Sequence, residues 1–212
     1  MINLISSEPT VYQGQFSSFT VTKEDRMGVI FYRLGLLIMA ICISLATTFA
    51  LKGIAINSLT PLFYIFTLAL GLSLFQIHIY FTLLHNFLKI SWLIGTTSAI
   101  YITVTHSTSL VEYLFQNPLY LFGVGFLFVS LTGIYFKEAF CFNRLETKFL
   151  TPLVPFLFLG HLSGLLSSPI EQILLILWGV LFILFVVRKV TQNVDQDLGD
   201  LSVFAYLKEQ RT

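Results

Sequence analysis

The chain has 212 residues, of which 56% are apolar and only 11% charged, with a net charge of +1 and a mean hydropathy of +0.83. Soluble domains carry about 25% charge, so too few polar residues remain here to cover a water-facing surface, and lipid must be the main solvent. The near-neutral balance, without a Lys/Arg cluster interleaved with aromatics, leaves no nucleic-acid footprint.

Lipid requires every backbone N–H and C=O to be paired inside the protein. Long apolar runs, rather than alternating segments of about ten residues, point to helices and not to a barrel. The expected fold class is all-α: a polytopic membrane protein of about six transmembrane helices with both termini cytoplasmic. Three regions follow: an N-terminal arm (1–26), a six-helix transmembrane domain (27–187) and a C-terminal tail (188–212).

The arm lacks a basic start, and its polar residues precede the first apolar run, so it is not a signal peptide. Residues 11–16 alternate in polarity and read as extended. Thr22 is an N-cap candidate, with Glu24 and Asp25 in the first helical turn. The first span covers 27–51, with Arg33 a turn or two inside it and Ala40, Ser44 and Thr48 forming a small-residue stripe for helix packing. The second covers 61–84, with Pro61 at a first helical position. His85 and Asn86 then make a tight turn into the third, 87–105. The fourth covers 118–136. Residues 137–149 form the most polar internal segment and read as a solvated, salt-bridged inner loop. The fifth span, 151–166, is short and holds Pro152 and Pro155, and the sixth covers 170–187 before the charged pair Arg188 and Lys189. This layout places eleven of the twelve Lys and Arg residues, Arg211 among them, on one side and Lys52 alone on the other, and that bias sets orientation.

No Asp or Glu lies deep in a span. Glu171 sits at the outer edge of the sixth, and Glu112 in an outer loop that carries no Lys or Arg. Cys42 and Cys141 fall at different depths, which argues against a disulfide, and no Cys/His metal spacing exists. No serine has an acid–base partner at a readable spacing, so no catalytic residue and no metal site is assigned, and an enzyme is the less favoured reading. The histidines are the cofactor-binding candidates. His78 and His85, seven residues apart, would lie about 10.5 Å apart on one face of the second span, too far to share a metal. His78 and His161 would differ in depth by about 6 Å, which allows a haem between them or a chlorophyll on one. The simpler reading is that each histidine is a hydrogen-bonding residue between helices, with Gln76 beside His78 and with Gly160 and Gly164 allowing close helix approach at His161. Lys137, Glu138 and Arg144 are the candidates for partner binding from the inner loop.

One set of residues, Glu8-Pro9-Thr10-Val11-Tyr12-Gln13-Gly14-Gln15-Phe16 with Asp25-Arg26 and Tyr32-Arg33-Leu34-Gly35, carries a family resemblance. A second set is Phe136-Lys137-Glu138-Ala139-Phe140-Cys141-Phe142 with Leu159-Gly160-His161-Leu162. Together they resemble the uncharacterised integral membrane proteins of cyanobacteria grouped as domain of unknown function 2301. The resemblance implies a thylakoid or plasma membrane of a cyanobacterium, with photosynthetic or respiratory complexes as neighbours. It also favours a tetrapyrrole on His78 or His161. It carries over no activity.

The expected function is a non-enzymatic accessory, assembly or scaffold factor of such a membrane complex, with the bilayer and complex subunits as partners and no cofactor. The alternatives are a haem- or chlorophyll-binding membrane protein and a small-solute transporter or channel.

Overall fold

The structure is a computed structural model and describes residues 9–209. The first eight residues of the arm, Glu8 of the resemblance motif among them, and Arg211 of the tail lie outside the described residues.

The alternating arm residues form a hairpin of β1 (Thr10–Gln13) and β2 (Ser18–Val21), antiparallel with Thr10 opposite Val21. Helix α1 (Lys23–Lys52) follows at once. Its start is a reciprocal capping box: the Asp25 backbone N–H donates to Thr22 Oγ1, and the Thr22 backbone N–H donates to the Asp25 carboxylate at 2.8 Å. Helices α2 (Leu59–Gln76) and α3 (Thr82–Thr105) come next. The chain then makes the short α4 (Leu110–Gln116) and α5 (Leu121–Val124) before α6 (Phe126–Phe142). Helices α7 (Leu145–Leu162) and α8 (Ser168–Thr191) complete the bundle, and the tail folds into α9 (Val194–Leu198) and α10 (Ser202–Glu209).

Four helices, α1, α2, α3 and α8, are long and apolar enough to cross a membrane, and the pair 118–124 and α6 makes a fifth if its 48° bend lies within one span. The bend falls at Gly125, where a Cβ would stand 2.3 Å from the Phe158 ring and 2.7 Å from the Leu121 carbonyl. Helix α7 is absent from this set, and its sequence opens on Glu146 and Lys148 and carries two prolines. In space α1 packs on α2, α2 on α3, α3 on α6, α6 on α7, α7 on α8, and α8 returns to α1, so six long helices close a ring. A core that includes Leu36, Leu70, Leu88, Leu127, Leu131 and Phe182 runs through its middle. The outward faces keep Leu68, Leu83, Val104 and Phe156 exposed, as lipid-facing residues must be.

Three expectations are corrected. The second helix ends at Gln76 instead of 84, and residues 77–81 are an extended break, so the turn comes before His85 and not at it. The Ala40/Ser44/Thr48 stripe is not the close contact of α1. Ser44 and Thr48 donate to carbonyls of their own helix, the ordinary fate of a hydroxyl in an apolar medium. The close approach is at Gly35, where a Cβ would meet Ser73 Oγ at 2.2 Å and the Ala69 carbonyl at 2.6 Å, and where Ser73 donates to the Tyr32 carbonyl. The Gly160/Gly164 pair, finally, ends a helix instead of joining two. Gly164 has φ +67° and its N–H donates to the His161 carbonyl, while Leu165 N–H reaches back to Gly160, as in a left-handed helix cap.

Candidate functional site

The two ends of the bundle differ in chemistry. At the end that carries the hairpin and the tail helices, the segment expected as a solvated loop encloses its charged residues Lys137, Glu138, Arg144 and Glu146, while Phe140, Asn143, Leu145 and Lys148 stay exposed. Residues 137–142 are the last turns of α6, Asn143 takes the left-handed conformation (φ 51°), and α7 begins two residues later. Lys137, Glu138 and Arg144, the residues expected to bind a partner, are therefore inside the protein and paired with internal partners.

Glu138 is the hub. Its Oε1 accepts from Lys137 Nζ at 3.0 Å and from the Tyr32 hydroxyl at 3.0 Å, and its Oε2 accepts from Lys189 Nζ at 2.7 Å. Lys189, fully buried on α8, also lies 2.6 Å from Asp197 of α9. Asp197 in turn accepts from Arg33 of α1 at 2.8 Å, and Arg33 donates as well to the carbonyls of Gln192 at 2.7 Å and Asn193 at 3.1 Å. Glu146 pairs with Arg188 at 2.7 Å and with Arg144 at 3.5 Å, and Arg144 donates to the Gln192 side chain. The Phe142 ring lies under three of these cations, with Lys189 Nζ 4.0 Å from its centroid. Burying each charge alone would cost several kcal/mol. A network in which each charge has an opposite partner offsets that cost and ties α1, α6, α7, α8 and α9 into one register.

The arm and tail close over this end. Tyr12 and Arg26 both donate to Asp195, at 2.7 and 3.0 Å, and Arg26 also donates to Thr10 at 2.8 Å. The Gln15 backbone N–H donates to Asp200 at 2.6 Å, and Phe16 stacks on Tyr206 with centroids 4.0 Å apart. Gly14 makes room, since a Cβ there would fall 2.3 Å from Asp200 Oδ1. The Asp200 backbone N–H donates to the Tyr80 hydroxyl, which anchors the tail on the break between α2 and α3. Partial burial pushes the Asp195 carboxyl up, but the hydrogen bonds from Tyr12 and Arg26 and the Arg26 charge outweigh it, so its pKa lies below the usual value.

The histidines do not assemble. His78 lies in the extended break at the charged end, where burial lowers its pKa and Asp25 of α1 partly opposes that. His85 is in the first turn of α3, and its Nε2 lies 2.9 Å from the Leu74 carbonyl. His161 is in the last turn of α7, at the opposite end, because α7 begins at Leu145 and its sixteen-residue reach is about 24 Å of helix. His78 and His85 thus share no helical face, and His78 and His161 cannot flank one ring. These residues do not fit a macrocycle held between two histidines. Among the described residues no group of three His, Cys, Asp or Glu could hold a metal ion.

At the distal end lies a feature the sequence reading missed. A cavity of about 490 Å³ opens among α1, α4, α7 and α8, walled by Leu114, Val154, Leu157, Phe158, Leu175 and Trp178. A second apolar cavity of about 220 Å³ between α1, α2, α4 and α8 shares Ala50, Val111, Phe115, Phe128, Leu175 and Trp178 with it, so the two adjoin along these residues and together make the distal groove. In the larger cavity the hydrophilic side chains are gathered in one place, and the smaller one adds only Thr47. His161 Nδ1 lies 2.8 Å from Glu171 Oε1, with Ser168 and Gln172 beside them. Only the ten-residue separation of His161 and Glu171, across a turn between two helices, could have pointed to that pair. The walls come from four helices and carry no motif.

No curated protein and no solved structure matches the chain significantly. A family model described as "Uncharacterized integral membrane protein (DUF2301)" matches residues 72–206, more than half of the chain. The matched part contains the second set of resemblance residues, 136–142 and 159–162, together with α6–α9 and therefore most of the charge network, whereas the first set lies before it. The chain belongs to this family of integral membrane proteins of unknown function.

Proposed function

We propose that this protein crosses the membrane six times, with the terminus-bearing end in the cytoplasm, and that it is an accessory protein which binds one lipid-like amphiphile in the distal groove. The carrying observation is the groove itself: about 490 Å³ of apolar space with a single polar corner at His161 and Glu171. Small-molecule sites have this form, an apolar cleft of about 300–1,000 Å³ with a few convergent polar groups. The six crossings are supported by the closed ring of six long helices, and the orientation by the sequence positions of Lys and Arg, of which only Lys52 falls at the distal end. In this orientation the groove lies in the outer half of the bilayer.

The test is extraction of the purified protein with organic solvent followed by mass spectrometry. The expected result is one amphiphile retained per chain through delipidating washes and lost when Leu175→Trp fills the groove. Equal retention by the filled variant would contradict the reading. The same sample decides the alternative of a haem or chlorophyll, for which a Soret band is required.

The role as an assembly or scaffold factor keeps one specific support. The arm and tail are folded into a cap on the membrane surface, with Val11 67% and Phe16 46% exposed on it. Deleting the hairpin should then release co-purifying subunits while leaving lipid retention in place. A thylakoid or plasma-membrane location in a cyanobacterium rests on the family resemblance.

A further inference from the structure

The polar corner of the groove restricts the head group of its occupant. Resting on the reading of the groove as a lipid site, we infer that the occupant is an uncharged amphiphile whose head carries a hydroxyl, and that His161, oriented by Glu171, accepts the hydroxyl's hydrogen bond.

The residues lining the groove include no Lys and no Arg. Lys52 follows the lining residue Leu51 but is exposed and is not part of the wall. The one ionisable corner pairs the Glu171 carboxylate with the His161 imidazole and supplies no other charged group. A phosphate or carboxylate head would face Glu171 with no lysine or arginine in the lining to offset the repulsion. Anionic lipids are therefore excluded from the head position, although their tails would fit.

An ionised carboxylate only accepts hydrogen bonds, so the imidazole nitrogen 2.8 Å from it, Nδ1, must carry the proton. In the neutral ring Nε2 is then an acceptor, and it calls for a donor on the ligand. A hydroxyl supplies one, and it can also accept from Gln172 or Ser168 in the same corner. A head that only accepts, such as a simple ester, cannot satisfy Nε2.

Trp178 provides the readout, because it lines both parts of the groove and Trp92 is the only other tryptophan. In a Trp92→Phe protein in detergent, quenching of Trp178 is titrated with three probes brominated on the same acyl chain: a monoacylglycerol, the corresponding fatty-acid methyl ester, and the corresponding lysophosphatidic acid. The expected result is that the monoacylglycerol binds at least about tenfold tighter than either of the others. His161→Leu should cost the monoacylglycerol roughly five- to tenfold, the value of one hydrogen bond, and leave the methyl ester unchanged. Glu171→Gln should narrow the gap between the monoacylglycerol and the lysophosphatidic acid. Equal affinity for all three probes, or a His161→Leu loss shared by the methyl ester, overturns the head-group inference and leaves the lipid site standing. A tighter lysophosphatidic acid overturns it as well. Absence of quenching by every probe overturns both the inference and the site. Because His161 is only partly buried, the Leu variant is expected to fold, and His161→Gln, which can still accept, provides a second check by retaining most of the affinity.

Discussion

The two ends of this helical ring are built on opposite principles. The terminus-bearing end has charge in its interior, with Lys189 and Glu138 wholly buried, with ion pairs holding α1, α6, α7, α8 and α9 there, and with Arg33 reaching three backbone carbonyls. The distal end has almost no charge and an open groove among four helices. A buried charge network tolerates little displacement, because moving one member strands the others. An apolar wall has no such penalty and accommodates guests of various shapes. A molecule that must keep its shape in lipid and still admit a ligand can divide those tasks between its ends, and this one does.

The sharpest way to break the contrast is at the hub. Glu138→Ala leaves Lys137 and Lys189 without their shared carboxylate and the Tyr32 hydroxyl without its acceptor. The expected loss is about 3–5 kcal/mol, seen as a collapse in folded yield and a large fall in detergent melting temperature. Wild-type stability of this variant would mean that the network is not what holds the end together. Gly35→Ala should follow, at about 1–3 kcal/mol, since the added methyl meets backbone at the Ala69 carbonyl as well as the movable Ser73 hydroxyl. The same melting experiment would show no change if α1 and α2 could separate freely.

Acid should open the cap as its aspartates protonate. The Asp195 and Asp200 pKa values lie below those of the unfolded chain, the first through Tyr12 and Arg26 despite partial burial, the second through hydrogen bonds from Ser202 and Gln15. Each therefore contributes fully above its unfolded pKa, about 3.9, and that contribution is lost as pH falls through the folded value. The hairpin should resist protease from neutral pH down to about 4 and become cleavable only below it, with Asp195→Asn cleavable already at neutral pH. Smallest of all is the expected effect of His161→Ala on stability, about 0.5 kcal/mol or less, because the His161–Glu171 pair is partly exposed. A large destabilisation there would make the distal corner structural and erase the contrast.

How much of this could be read in the sequence follows the same division. The long apolar runs announced the helices, Thr22 with Asp25 announced the start of α1, and the alternation from Val11 announced extended chain, though not its pairing with Ser18–Val21, since each signal is local. The charge network was not legible. Lys137, Glu138, Arg144 and Lys189 look like surface residues by type, and only the meeting of four helices and the tail shows that they are enclosed. The position of the second helix's end was missed because Ile77, Ile79 and Phe81 keep the apolar run going through an extended break, where hydropathy does not distinguish strand from helix. That error put His78 and His85 on a common face they do not share. The groove was invisible because a cavity is an absence of side chains between elements distant in sequence, and no residue type marks it.

The central claim, that one end is a lock and the other a receptor, is tested most directly by hydrogen–deuterium exchange of the protein in nanodiscs with and without monoacylglycerol. The account predicts that amides of the charged end, around 137–142 and 186–192, are slow to exchange and indifferent to the ligand. Amides around the turn between α7 and α8 should exchange faster and slow down when it binds. Ligand-induced protection at the charged end with none at the distal turn would contradict it.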